Sequence, residues 1–151
     1  MTITRRQALT LSAGAAAAFL SGGLAGLAHA GADEAEALLD AFTGGVAPEP
    51  GRIALTAPEV AENGNAVSIA FSVDSAMEGD DRVETVLVVA DGNPRPDVAR
   101  FHFTELSGAA AASTRIRLAQ SQTVTAVAKM ADGSFFVDRR QIQVTVGGCT
   151  G

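Results

Sequence analysis

The chain contains a single cysteine, no tryptophan and no tyrosine. One cysteine excludes an internal disulfide, and with so few histidines it cannot complete a zinc or copper site within one chain. Basic residues are also scarce, since eleven face seventeen acidic ones for a net charge of −6. An acidic surface argues against nucleic acid and anionic membranes as partners. The sequence also lacks a glycine-rich phosphate loop, a serine-elbow motif and HExxH, so nothing in it predicts an enclosed active site.

The first thirty residues are typical of an export signal. Arg5 and Arg6 precede an uncharged stretch rich in Ala, Gly and Leu, and Ala28-His29-Ala30 matches the small-x-small cleavage pattern. The paired arginines indicate the twin-arginine route. A transmembrane anchor is the alternative, because the stretch approaches the roughly 20 residues needed to span a bilayer. We predict a twin-arginine signal peptide over residues 1–30, and a periplasmic mature protein without a membrane anchor.

Cleavage after Ala30 would leave 121 residues, which is one domain's worth. Arg5 and Arg6 leave with the signal, so nine basic residues would face seventeen acidic ones, a net charge of −8. His102 would be the only remaining histidine. An odd cysteine in an exported chain indicates either intermolecular pairing or a reactive free thiol.

A short helix is predicted over Asp33–Phe42. Asp33 can cap it, Glu34 and Glu36 suit the positive end of its dipole, and the glycines at 44 and 45 can end it. The segment Ala47–Gly51 is predicted as a turn-rich linker.

From residue 53 onward the hydrophobic period changes to two, which is typical of strands bounded by turns. The pattern predicts an all-β fold, an immunoglobulin-like β-sandwich of about seven strands, with a domain over residues 31–146. Turns are predicted at Glu62–Asn65 and Ala131–Ser134. The predicted strands are Ile53–Leu55, Val67–Val73, Val83–Ala90, Phe101–Phe103, Arg115–Leu118, Val124–Met130 and Phe136–Val146.

The last five residues predict a flexible carrier arm. Its members are Gly147, Gly148, Cys149, Thr150 and Gly151, and it follows the last strand directly. Glycine opens backbone conformations closed to other residues, so the arm can enter a narrow pocket on another protein. A free thiol has a pKa near ~8.5 and nothing in the arm would lower it, so a partner must supply activation. These residues predict a covalent carrier and not an enzyme.

Two other groups could carry chemistry. His102 alternates with Phe101 and Phe103, which predicts a surface strand position for it. Arg95, Arg100, Arg115 and Arg117 could contact an anion, and the alternative is that they are solvent-facing charges on a half-exposed sheet.

Several segments form a characteristic set: Glu62–Asn65, Ala90–Pro96, Phe101–Phe103, Ser113–Gln120, Gln122–Ala128 and the closing Gly-Gly-Cys. Together they resemble the SoxY family of the bacterial Sox thiosulfate-oxidation system. The resemblance covers essentially the whole chain, including the twin-arginine leader.

The resemblance implies a periplasmic sulfur carrier that holds thiosulfate-derived intermediates on Cys149 and presents them to partner enzymes. It implies a heterodimer with SoxZ, a smaller β-sandwich protein. The c-type cytochrome SoxAX would join thiosulfate to the thiol, giving a cysteine S-thiosulfonate, and the di-metal hydrolase SoxB would release sulfate. The sulfane dehydrogenase SoxCD, where present, would oxidise the remaining sulfur. Metals and cofactors belong to those partners, so no cofactor and no metal is expected on this chain.

One departure from the family pattern concerns the arm. The family tail usually runs Gly-Gly-Cys-Gly-Gly, whereas Thr150 follows the cysteine here. Threonine is β-branched and stiffens its own backbone, so a partner channel shaped for glycine would have to accommodate its side chain.

Three rival interpretations stay open. One is a periplasmic docking module whose cysteine forms an intermolecular disulfide. Another is a self-contained redox enzyme, disfavoured because thiol oxidoreductases normally need a second, resolving cysteine. The third is a diverged homologue that carries another sulfur compound. Candidate faces for SoxZ are the apolar strand Val83–Ala90 and the strand that contains Phe101 and Phe103. The presence of SoxCD and any assembly beyond the heterodimer stay open as well.

Overall fold

The structure, a computed structural model, describes the backbone of residues 26–148 and the side chains from residue 31. Within that range it has one α-helix, α1 (Gly26–Thr43), nine strands and a 3-10 turn at Gly79–Asp81. The strands are β1 (Glu49–Pro50), β2 (Ile53–Thr56), β3 (Val60–Asn63), β4 (Val67–Val73), β5 (Val83–Ala90), β6 (Asp97–His102), β7 (Ala110–Ile116), β8 (Gln122–Met130) and β9 (Phe135–Val146).

The strands form two sheets, which confirms the predicted all-β sandwich. The larger sheet has the order β1-β9-β8-β5-β6, and β3 pairs with β9 as well. The smaller sheet has the order β2-β4-β7. Both β1 and β3 run parallel to β9, whereas every other described pairing is antiparallel.

The main core lies between the two sheets. Alternate residues of β4 point into it, with Val67, Ile69, Phe71 and Val73 all buried. The ring of Phe71 meets that of Phe101 edge-on at 5.0 Å between centroids, a favourable aromatic geometry. The strand predicted from alternation at 67–73 is therefore confirmed.

The helix α1 covers the outer face of the larger sheet. Ala35 and its neighbours Leu38, Leu39 and Phe42 pack on Leu87 and Val89 of β5, and on Val127 of β8. This explains why β5 is apolar throughout residues 86–90, since Val86, Val88 and Ala90 face the main core whereas Leu87 and Val89 face the helix. Because both of its faces are covered, β5 offers no docking face, and its candidacy for SoxZ is wrong.

The helix begins earlier than predicted, at Gly26 and not near Asp33. Asp33 therefore is not its cap, and Glu34 and Glu36 lie beyond its first turn. The physical reason is that the residues before Asp33 are rich in alanine, the best helix former. The predicted end is confirmed, because Gly44 and Gly45 have φ of +65° and +82°, and the Gly45 N–H donates to the Asp40 carbonyl at 3.2 Å.

The predicted leader boundary after Ala30 falls inside this helix, and the chain divides there into two units, residues 1–30 and 31–151. The predicted boundaries at 30 and 146 stay predictions. Residues 1–25 lie outside the described part of the chain.

Two strands were missed. β1 lies within the predicted linker and β3 overlaps the predicted turn at Glu62–Asn65. Both are short and mostly exposed, so neither shows the alternation that predicts a strand. Each is held by pairing with β9, far away in the sequence. Two strands also end earlier than predicted: β6 ends at His102 and not at 103, and β7 ends at Ile116 and not at 118.

Candidate functional site

The predicted attachment residue Cys149 lies outside the described residues, as do Thr150 and Gly151. Their assignment as a carrier arm stays a prediction. The structure does describe the first two residues of the arm, Gly147 and Gly148, which we call the root of the arm.

The root of the arm lies against the turn that follows β3. The Gly148 N–H donates to the Leu118 carbonyl at 2.9 Å, and the Leu118 N–H donates to the Gly64 carbonyl at 2.8 Å. The Gly64 N–H in turn donates to the Val146 carbonyl at 2.7 Å. Three chain segments are thus joined by backbone hydrogen bonds at the point where the arm begins.

Close backbone approach explains the glycines here. A Cβ on Gly148 would overlap the backbone of Gly64 and Asn65, and one on Gly147 would overlap the Ala119 carbonyl. A Cβ on Gly64 would overlap the Leu118 carbonyl. Sequence reasoning assigned Gly147 and Gly148 to flexibility, and the structure adds that each is needed for a close contact.

Asn93 connects the loop after β5 to the segment beside the root of the arm. It is 6% exposed, and its side-chain amide donates to the Arg117 carbonyl at 2.8 Å. Its side-chain oxygen accepts from the Ala119 N–H and from the Gln122 side chain, both at 2.9 Å. A buried amide with this many partners fixes the loop after β5 against the segment from Arg117 to Gln122. Sequence reasoning missed this role of Asn93, because its partners lie more than twenty residues away along the chain.

Three of the four candidate arginines surround one cavity. Arg95, Arg115 and Arg117 line a cavity of about 270 Å³ together with Asn93, Val98, Ala99, Thr114 and Ile116. The cavity opens between β6 and β7, the edge strands of the two sheets. Arg100 is not part of this group, because its guanidinium makes other contacts. Its Nη2 lies 3.5 Å from Asp97 Oδ2, and its Cζ lies 5.7 Å from the centre of the Phe42 ring. The expected group of four therefore becomes a group of three, which we call the arginine cavity.

His102 is exposed on the surface of β6, as predicted from its neighbours. Its Nδ1 lies 3.1 Å from the Thr85 hydroxyl. Phe101 and Phe103 pack on the main core instead.

The carboxylates with perturbed pKa values serve loops and lie away from the arm. Hydrogen bonds from the Ala76 N–H and from Arg52 hold the pKa of Asp81 below its ordinary value of 3.8. Hydrogen bonds from Ser134 similarly lower the pKa of Asp132 in the turn between β8 and β9. Both arrangements fix loop geometry.

Among residues 26–148, no three His, Cys, Asp or Glu side chains are grouped so that they could hold a metal ion. In the same part of the chain no helix is long and apolar enough to cross a membrane.

The fold and the root of the arm define the class first: an immunoglobulin-like β-sandwich with a helix on its larger sheet and two closely packed glycines after its last strand. Comparison with known families then identifies the lineage. The family described as "Sulfur oxidation protein SoxY" matches residues 39–149. The chain belongs to the SoxY family.

Solved structures share this fold. The sulfur carrier protein SoxY from Chlorobium limicola f thiosulfatophilum superposes with a TM-score of 0.63 at 22% identity, covering 76% of this chain and 94% of that one. A superoxide reductase (neelaredoxin) from Ignicoccus hospitalis gives a TM-score of 0.53 at 15% identity, covering 62% and 80%. At such identities the likeness concerns the fold alone. No curated protein sequence matches the chain.

Proposed function

We propose that this protein is a covalent sulfur carrier in thiosulfate oxidation and that Cys149 is the attachment residue. The observation that carries the proposal is the extent of the family match, which runs through residue 149 and so includes the only cysteine. The structure supports it by ending the sandwich at Val146, so that only two residues separate the last strand from Cys149.

Loading joins the Cys149 sulfur to the outer sulfur of thiosulfate. The thiol loses one proton and the pair loses two electrons, giving a cysteine S-thiosulfonate with a single negative charge. A c-type cytochrome of the SoxAX kind would accept the electrons one at a time. A thiolate is the reactive form, so the partner that encloses the arm would also favour deprotonation.

Release is a hydrolysis. Water attacks the terminal sulfonate sulfur, the sulfur–sulfur bond to it breaks, and sulfate leaves with two protons released. The carrier keeps a persulfide on Cys149. A di-metal hydrolase of the SoxB kind would supply the activated water, and a sulfane dehydrogenase of the SoxCD kind would oxidise the remaining sulfur. In this scheme the chain itself is not an enzyme.

The proposed setting is the periplasm, reached by the twin-arginine pathway, with SoxZ as the partner subunit. The leader pattern in residues 1–30 supports the export route, and the family supports a place in the Sox system. The root of the arm suits presentation, because close contacts hold its two residues while the thiol follows immediately.

Intact mass spectrometry under non-reducing conditions tests the proposal. The sample is mature protein from cells grown with and without thiosulfate, beside a Cys149→Ser control. We expect adducts with the mass of sulfur or thiosulfonate that depend on thiosulfate and are absent from the control. A bare thiol under both conditions would refute the carrier role. A protein disulfide alone would favour the docking module.

A further inference from the structure

We propose that the arginine cavity binds a small sulfur oxyanion, either the sulfonate end of the group on Cys149 or free thiosulfate or sulfate. This inference rests on the proposed function, because that function supplies the anion. It adds to the carrier a second site, built from side chains of the sandwich itself.

The arginines of the cavity come from β7, from the residue that follows it and from the loop before β6. Arg115 and Arg117 are two residues apart, which places both on one side of the chain, and Arg95 approaches from the loop before β6. A guanidinium presents up to five N–H donors in a planar fork that matches a tetrahedral oxyanion with two parallel hydrogen bonds. Thr114 of β7 lines the cavity as well. At about 270 Å³ the cavity has ample room for one such ion.

The charge around the cavity is exceptional for this protein. No carboxylate lines it, although Glu34 and Asp97 line the adjoining depression that Arg95 also borders. In the described part of the chain, none of the three cavity arginines lies within ion-pair distance of a carboxylate. Other basic side chains of the described residues do lie within ion-pair distance of a carboxylate, namely Arg52, Arg82, Arg100, Lys129 and Arg140.

On a chain of net charge −6, three clustered and unneutralised cations form a local attraction for anions against a repelling background.

The cavity is connected to the root of the arm. Its wall residue Arg117 accepts a hydrogen bond from Asn93 through its carbonyl, and the next residue, Leu118, accepts one from Gly148. Cys149 follows Gly148 directly, so a sulfonate on its thiol can extend roughly 10 Å from the Gly148 backbone. Because Leu118 also follows Arg117 directly, Gly148 is hydrogen-bonded to the residue next to the cavity wall, and we expect a loaded thiol to reach the cavity.

A titration tests the site without requiring any loading. The mature chain carrying Cys149→Ser is titrated with sodium thiosulfate, and separately with sulfate, at constant ionic strength kept with chloride. The arginine side-chain N–H signals are followed by NMR. We expect saturable shifts of Arg95, Arg115 and Arg117, and binding about tenfold weaker after Arg115→Gln or Arg117→Gln, since one charge-assisted contact is lost.

Arg139→Gln is the matched control, because it removes the same charge from an exposed arginine that lies beside the helix and outside the cavity. We expect this variant to bind as the parent does. Equal weakening in all three variants would mean that only net charge matters and would overturn the site. Absence of saturable shifts in the parent would overturn it too.

A second experiment distinguishes the two sources of the anion. The wild-type chain is loaded with thiosulfate by a c-type cytochrome of the SoxAX kind, with an electron acceptor that takes the two electrons; the adduct is verified by intact mass, and free ion is removed. If the N–H signals of the cavity arginines are shifted by loading and no longer respond to added thiosulfate, the site binds the adduct. If loading leaves these signals in place and they still shift with added thiosulfate, the site binds the free ion. Failure of loading refutes the proposed function alone, and failure of the titration refutes the cavity alone.

Discussion

Replacing Gly148 by alanine tests whether the root of the arm lies where the structure places it. A Cβ at this position would overlap backbone atoms of Gly64 and Asn65, which cannot move aside as a flexible side chain could. Something in the backbone must therefore shift. Because Gly148 lies after the last strand and its N–H makes one hydrogen bond, to the Leu118 carbonyl, the cheapest response is for the root to leave its position.

Leaving forfeits the hydrogen bond between the Gly148 N–H and the Leu118 carbonyl, worth about 1 kcal/mol. The free energy of unfolding should fall by about that amount, which lowers the melting temperature by about 4 °C in a domain of this size. The Gly148 amide should also lose its protection from hydrogen exchange.

Gly64→Ala provides the contrast. Its Cβ would overlap the Leu118 carbonyl, but Gly64 lies between two strands and cannot move away by fraying. Overpacking at such a position costs about 2 kcal/mol or more, so this variant should be distinctly less stable than Gly148→Ala. Gly108→Ala is the control, because its Cβ would meet no atom within 4 Å.

The assay is urea unfolding of the three variants combined with amide exchange at residues 118 and 148. The expected order of stability is Gly108→Ala, then Gly148→Ala, then Gly64→Ala. A Gly148→Ala protein with wild-type stability and unchanged exchange would refute the placement of the root. A loss as large as that of Gly64→Ala would refute the argument that the root can leave cheaply.

Three further predictions concern other parts of the chain. Asn93→Ala should lower the free energy of unfolding in urea by about 3 kcal/mol, because three hydrogen bonds are lost from a buried site. Thr150→Gly should be loaded by a family cytochrome from another system at least as fast as wild type, if the threonine obstructs a channel shaped for glycine. Asp81 stabilises the fold above pH 3.8 and loses that contribution as the pH falls through its lowered pKa. In Asp81→Asn the free energy of unfolding should therefore fall less steeply at acid pH, the acid limb of its pH dependence.

Each of these has a control and a contrary outcome. Asn65→Ala removes an exposed amide and should cost under about 0.5 kcal/mol, so equal losses at 65 and 93 would contradict the role of Asn93. Slower loading of Thr150→Gly would refute the steric argument. Asp80→Asn removes a neighbouring exposed carboxylate, and an acid limb unchanged in Asp81→Asn but flattened in Asp80→Asn would refute the assignment to Asp81.

The parts of the fold that follow local rules could be predicted. The alternation of Val67 to Val73 and the two glycines after the helix act through side-chain period and backbone conformation, which a sequence displays directly. β1 and β3 could not be found this way, because their structure comes from pairing with β9 across a long stretch of chain.

In the candidate site, too, the features that the sequence itself displays could be predicted, and those that depend on tertiary contacts could not. The arm was visible because glycine and cysteine are adjacent in sequence, and the four arginines were visible as a group. Their separation into a cavity of three, with Arg100 turned towards Asp97 and Phe42, depends on which sheet edges meet. The contact between Gly64 and Gly148 depends on tertiary approach and leaves no local pattern.

The position of β9 has a consequence for how this protein is made. β9 pairs with β1, β3 and β8, and its partners in β1 and β3 lie more than eighty residues earlier. Contacts of such separation form late, so the larger sheet closes only after β9 has been synthesised. A chain cut short within β9 would leave three strands with unpaired edges, which promote aggregation. Loss of the thiol by premature termination within β9 is thereby coupled to loss of the fold.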